Sequence, residues 1–159
     1  KGREDIMKIF LGYDRRGEKL ALHLVETLTE QGYEVNIPKD DEEDHKNYPV
    51  QAEAVCNQVL KNNGSKGLLV CGTGVGMMMA SNRFEKIRAV LAWEPAVAYF
   101  ARRHEDANVL VLAGGYKDDK FAVKQSAKPE DIVKVFFETE FEGDRHVARI
   151  KMLDEIAKK

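Results

Sequence analysis

The chain has 159 residues, 43% hydrophobic and 33% charged, with a formal net charge of −2. That balance fits one globular domain with a proper core, and it leaves no global field to draw the chain to nucleic acid or an anionic membrane. No apolar run approaches the roughly 20 residues of a membrane helix, and Cys56 and Cys71 are too few and too separated for a disulfide framework or a zinc site.

The polar prefix KGREDI precedes Met7. Met7 reads as the natural start, with residues 1–6 an extension and 7–159 a single domain in the reducing cytoplasm. An apolar run at 7–13 predicts a first strand, which ends in Asp14, Arg15, Arg16 and Gly17. Leu20, Ala21, Leu24, Val25 and Leu28 then form one stripe at helical spacing. A second strand is predicted at 33–37. The acidic segment 38–49, which contains His45, reads as a solvated surface loop. Ala52, Val55, Cys56 and Val59 mark a second helical face.

The third strand, 67–71, runs directly into CGTGVG, and MMMASNRF follows with the makings of a helix start. Strands at 87–93 and 108–113 flank a helix that opens at Pro95, a favoured first helical position. Pro129 opens another helix, and a last one spans 145–158 with Val147, Ile150, Leu153 and Ala157 on one side. The strand runs are continuous rather than alternating, the mark of strands covered on both faces. Strand and helix alternate throughout. The class is therefore α/β: a three-layer αβα sandwich around a five-stranded, mainly parallel, Rossmann-like sheet.

Such sheets bind ligands outside the carboxyl ends of their strands, near a switch in strand order. On that rim the sequence places Asp14 and its arginines, the CGTGVG loop, Trp93 with Glu94, and Gly114 with Gly115. The loop glycines, Gly72, Gly74 and Gly76, do not have dinucleotide-fingerprint spacing, and no P-loop lysine follows them. They let backbone N–H groups approach a ligand, and a helix start adds partial positive charge, so the loop suits an oxyanion. The same dipoles are expected to favour the Cys71 thiolate. A thiolate beside an oxyanion cradle serves either acyl transfer or removal of a proton from carbon next to a carbonyl. Cys56, on an apolar helix face, reads as core. His104 is placed to exchange protons near neutral pH. His23 and His45 read as incidental. Arg145 and Arg149, spaced i,i+4, project from one side of a helix and suit a phosphate. An exposed basic face paired with Asp144 or Glu142 is the plainer alternative.

Taken together these residues resemble the ribose-5-phosphate isomerase B and galactose-6-phosphate isomerase family. The likeness rests on GYD, NYP at 47–49, CGTGVG with MMMASNRF, IRAV, RRHEDANVL, the late GG and EGDRHVARI. It implies an aldose–ketose isomerase of a phosphorylated sugar, without metal or organic cofactor, and a strand order of 2-1-3-5-4. It also implies a homodimer or dimer of dimers with sites between subunits. Carried onto this chain, Cys71 matches the base, and Thr73 with the backbone of Gly72, Gly74, Val75 and Gly76 matches the enediolate cradle. His104 matches the ring-opening group, Asp14 the carboxylate near the sugar hydroxyls, and Arg145 and Arg149 the phosphate grip. Tyr48, Arg15 and Glu105 complete the expected substrate contacts.

Several positions depart from the family pattern. Arg15 stands where many members have His, Tyr116 where Arg is common, Glu105 where ribose-type members often have Asn, and Asn47 where many have Asp. An arginine cannot act as a neutral acceptor. With Tyr116 in the place of the usual Arg, Arg15 or Lys117 is expected to supply the displaced phosphate contact. Ribose 5-phosphate is the default substrate, with another tetrose, pentose or hexose phosphate as the alternative. A non-catalytic sugar-phosphate sensor is the rival from another class, and a cysteine acyl hydrolase and a nucleotide-binding domain stand behind it.

Overall fold

The computed structural model describes residues 6–39 and 47–159. His45, most of the acidic loop and nearly all of the expected N-terminal extension lie outside the described residues. Strands β1 (Lys8–Tyr13), β2 (Glu34–Asn36), β3 (Lys66–Cys71), β4 (Ala89–Leu91) and β5 (Val109–Ala113) form one sheet in the order β2-β1-β3-β5-β4, and every pairing is parallel. Helices α1 (Glu18–Glu30), α2 (Tyr48–Lys61), α3 (Val75–Ser81), α4 (Pro95–Glu105), α5 (Pro129–Glu138) and α6 (His146–Ala157) cover it.

The period of two along each strand divides the core. Ile9, Leu11, Leu68, Val70, Leu110 and Leu112 pack with Ala21, Leu24 and Leu28 of α1, Ala98 and Ala101 of α4, and Ile132 and Phe136 of α5. Phe10, Leu69, Cys71, Val109 and Val111 face the opposite layer, with Ala52, Val55, Cys56 and Val59 of α2 and Met77 of α3. The expected three layers and strand order are therefore present. Cys71 belongs to the α2–α3 side, whereas α4 lies on the other.

The edge strands differ from their predicted form. β2 is only three residues long and half exposed, and β4 is shorter than 87–93 and only partly buried. A strand on the rim has a neighbour on one side only, so its apolar residues need not be covered on both faces. The last helix also differs: Arg145 is its N-cap, and of the predicted stripe only Ile150 is buried, while Val147 and Leu153 stay exposed. Instead, α6 turns His146 inward, 2% exposed, and leans on α4. A short antiparallel ribbon, β6 (Tyr116–Lys117) with β7 (Ala122–Val123), follows β5 and was not expected. Its strands are two residues each, too short to leave an alternating pattern, and Asp118 makes its turn by accepting the N–H groups of Lys120 and Phe121, both at 2.8 Å.

Candidate active site

The chain leaves β1 towards β2 on one side and returns to β3 on the other, so the strand order switches between β1 and β3. At that switch the carboxyl ends of three neighbouring strands are tied together. The backbone N–H groups of Asp14, Gly114 and Gly115 donate to Val70 O (3.2 Å), Cys71 O (2.7 Å) and Gly72 O (2.9 Å). A cavity of about 200 Å³ opens there, lined by Asp14, Arg16, Tyr48, Cys71, Gly72, Thr73, Gly76 and Tyr116.

Cys71 sits at the base of this cavity, 4% exposed. The loop folds back on it because Gly74 takes a left-handed turn, φ 82°, where a Cβ would lie 2.4 Å from Leu91 Cδ1. That turn aims the Gly74 N–H at the sulfur, Sγ accepting at 3.2 Å. Thr73 Oγ1 accepts the N–H of Val75 at 3.2 Å and so starts α3. Gly76 lies under the ring of Tyr48, 2.7 Å from where its Cβ would be. The expected easing of thiol ionisation is not met in the single chain. Burial pushes the Cys71 thiol up, and the Asp14 carboxylate adds to this; the backbone N–H groups of Met77, Gly74 and Thr73 pull the other way without prevailing. The dipoles are in place, but burial of the sulfur outweighs them.

Asp14 is committed to its own loop, with Oδ1 accepting the N–H groups of Arg16 and Gly17, each at 3.0 Å. Its other oxygen accepts no hydrogen bond among the described residues. Arg16, rather than Arg15, lines the cavity, its guanidinium 4.2 Å from the centroid of the Tyr116 ring. Sequence reasoning did not single out Arg16. Its one local signal is the Gly17 that follows, which permits close approach of this loop to β3.

The remaining predicted residues form a second cluster. His104, near the end of α4, is held between aromatic faces, with Phe100 at 5.2 Å and His146 at 4.5 Å, the latter stacked at 16°. The end of α4 is fixed by Arg102, which is buried and donates to Asp106 Oδ1 (2.9 Å), Ala107 O (2.6 Å) and Thr139 O (2.9 Å). Arg145 and Arg149 are exposed beside this cluster and form no ion pair among the described residues, whereas Glu142 pairs with Arg103 at 3.4 Å. The plainer alternative, that these arginines pair with Asp144 or Glu142, is therefore not what is seen. His146 lies in the same GDRH pattern as Arg145, but sequence reasoning gave it no role. Among the described residues its Nε2 has no hydrogen-bond partner, Glu142 Oε1 standing 3.8 Å away, and burial together with Arg145, His104 and Arg149 lowers its pKa despite Glu142.

His104, Glu142 and His146 offer ligand atoms within 4.8 Å of one another. The two imidazole planes are nearly parallel, so their in-plane lone pairs do not converge on one metal position, and one ring would have to turn to bind an ion.

None of His104, Arg145 and Arg149 lines the Cys71 cavity. Glu105 faces a separate groove, with Phe84, Arg88 and Leu153. Gly74 and Val75 shape the loop without lining the cavity. Cys56 is core, as expected, its thiol pushed up to about 11 chiefly by burial. His23 pairs with Glu130 at 2.7 Å on the surface. No helix among the described residues is long and apolar enough to cross a membrane.

Comparison with known proteins gives this geometry a context. The family model described as Ribose/Galactose Isomerase matches residues 9–153. Ribose-5-phosphate isomerase B of Escherichia coli is 34% identical over 149 residues, covering 94% of this chain and 95% of that protein. The crystal structure of ribose 5-phosphate isomerase from Thermotoga maritima superposes with a TM-score of 0.80 at 36% identity, covering 94% of this chain and 98% of that one. Ribose-5-phosphate isomerase B of Mycoplasma genitalium, solved with bound ribulose-5-phosphate, gives 0.82 at 33% identity, covering 96% and 97%. A match that runs through all five strands and through both residue clusters leaves one assignment: the chain belongs to the ribose/galactose isomerase family.

Proposed function

We propose that this protein interconverts an aldose phosphate and the corresponding ketose phosphate through a cis-enediolate, with the Cys71 thiolate as the base. The observation that carries the reading is the seat of Cys71: a thiol at the base of a strand-end cavity, with a backbone N–H trained on its sulfur. Ribose 5-phosphate is the default substrate, supported by the ribulose-5-phosphate bound to the Mycoplasma genitalium relative. Other four- to six-carbon sugar phosphates remain candidates, because Arg15, Glu105 and Tyr116 depart from the family pattern.

The step balances without an external oxidant or metal. Sγ takes the proton from C2 of the open-chain aldose, and the C–H pair becomes the C1–C2 double bond while the carbonyl pair moves to O1. The proton on O2 passes to O1, helped by the Thr73 hydroxyl. The lone pair left on O2 then forms the C2–O2 double bond, and the C1–C2 π pair takes the proton back from sulfur at C1. The loop N–H groups stabilise the oxyanion in between. His104 opens the ring, Asp14 and Tyr48 hold hydroxyls, and Arg145 and Arg149 hold the phosphate.

These roles fall in two layers of one chain, the Cys71 cavity with α2 and α3 and the His104 cluster with α4 and α6. We infer that a second copy completes each site, its α4–α6 cluster meeting the first copy's cavity. The exposed Val75, Met79, Tyr99, Phe100 and Val147 on the elements concerned supply apolar area for such contact. We read residues 7–159 as one domain, and the free thiols Cys56 and Cys71 support a reducing compartment.

The test is turnover of aldose and ketose phosphates in deuterium oxide. Wild type should incorporate solvent deuterium at C1 or C2. Cys71→Ala should lose about 10²–10⁴-fold in kcat, the usual scale for a proton-transfer group, while still binding sugar phosphate. Full activity in that variant would remove Cys71 from the mechanism. Binding without turnover in wild type would favour the sensor reading.

A further inference from the structure

The Cys71 cavity carries a cation that none of the assignments above uses. Arg16 is the second residue past Asp14, and its backbone is pressed onto the neighbouring strand ends where three glycines omit a side chain. A Cβ on Gly17 would lie 2.1 Å from Val70 O, one on Gly114 2.7 Å from Arg16 O, and one on Gly72 3.0 Å from Arg16 Cδ and 3.2 Å from Tyr116 Cβ. Asp14 Oδ1 accepts the Arg16 N–H at 3.0 Å and fixes the loop from the other side. The stem of Arg16 therefore lies on Gly72, beside the reactive sulfur. Its guanidinium lies over Tyr116, 4.2 Å from the ring centroid, and that ring is carried by the β6–β7 ribbon through the Tyr116–Val123 register.

A guanidinium above a ring spends its face on the π-system and keeps its in-plane N–H fork for other partners. No carboxylate among the described residues lies within ion-pair distance of it. It also does little for the sulfur: the charged group that acts on Cys71 is Asp14, in the unfavourable direction. What remains is an anchored, pre-oriented fork on the lip of the cavity, suited to bidentate recognition of a phosphate.

We propose that Arg16, steadied by Tyr116, binds the substrate's phosphate from the same subunit as Cys71. It thereby sets the distance from phosphate to reacting carbon and so the sugar length accepted. This rests on the isomerase reading above. Arg145 and Arg149 of the neighbouring copy would close on the phosphate from the other side.

The test measures ribose 5-phosphate turnover with inorganic phosphate as competitor, together with direct calorimetric binding of inorganic phosphate. Arg16→Gln should raise KM and the phosphate inhibition constant together, by about 10- to 100-fold, the range for a charge-assisted hydrogen-bond pair, while kcat falls by less than KM rises. Tyr116→Leu should raise both constants about two- to fivefold, the scale of an exposed cation–π contact. Tyr116→Phe should retain most of what Leu loses. Unchanged phosphate binding in Arg16→Gln, or a loss confined to kcat, overturns the proposal. If wild type turns over no aldose phosphate, the isomerase reading fails on its own, and calorimetry still decides Arg16: weaker phosphate binding in Arg16→Gln supports its role, and equal or absent binding overturns it.

Discussion

At Cys71 two forces compete for one proton. Burial raises the thiol pKa, and three backbone N–H groups only partly offset it. The group must lose its proton to act as base, so a raised pKa moves the rising limb of activity to higher pH. We expect kcat/KM, and the alkylation rate of Cys71 by iodoacetamide, to climb together with pH, with a shared midpoint above the ordinary thiol value of 9.0. Cys56, pushed up to about 11 and fully buried, should stay unreactive through the neutral range. A midpoint below pH 7 for Cys71 would mean that a partner subunit brings a cation to bear on the sulfur. The position of Cys71 was legible in the sequence because a thiol between an apolar run and alternating glycines is a rare local pattern. Arg16 was not legible. Two adjacent arginines look alike on paper, and only the packing of Gly17, Gly72 and Gly114 decides which one reaches the cavity. The inward turn of His146 was hidden for a similar reason, since a histidine flanked by arginines at a helix start is as consistent with a surface.

Among the elements, the turn from β1 into α1 carries the most geometry in the fewest residues. Gly17 has an ordinary negative φ, −89°, so its need is space rather than conformational freedom. With Val70 O 2.1 Å from a would-be Cβ, Gly17→Ala must push the turn off the backbone of β3. We expect a loss of about 3 kcal/mol, the upper range for overpacking, seen as a melting temperature lower by roughly 5–10 °C, and a higher KM because Arg16 moves with the turn. Ala at Gly32, where nothing lies within 4 Å but φ is +97°, would test conformational strain instead. Central strands were easy to predict because β1, β3 and β5 are continuous apolar runs buried on both sides. The edge strands and α6 differ in extent or facing from what their patterns predict. Their apolar residues, such as Val147 and Leu153, satisfy a pattern without being covered in the single chain.

Across the whole molecule, the sheet separates the two residue clusters to which the proposed function assigns roles. Cys71 packs with α2 and α3, and His104 rides on α4 in the opposite layer. If one copy's cavity works with another copy's α4–α6 cluster, two inactive variants should complement. Cys71→Ala and His104→Ala, each inactive alone, are expected to regain about a quarter of wild-type activity per site when co-refolded as a one-to-one mixture. This is the statistical share if half the dimers are mixed and each mixed dimer holds one intact site. Equal inactivity of the mixture would place both residues in one subunit's site. Hydrophobic period and glycine spacing are written locally, so the αβα class, the central strands and the strand-end loop that carries Cys71 can be read from the residues alone. That Arg16 and Tyr116 join the Cys71 cavity, that His146 stacks on His104, and that the two clusters lie in different layers emerges only in the packed fold. Those facts depend on close approach between segments distant in the chain, which no local pattern encodes.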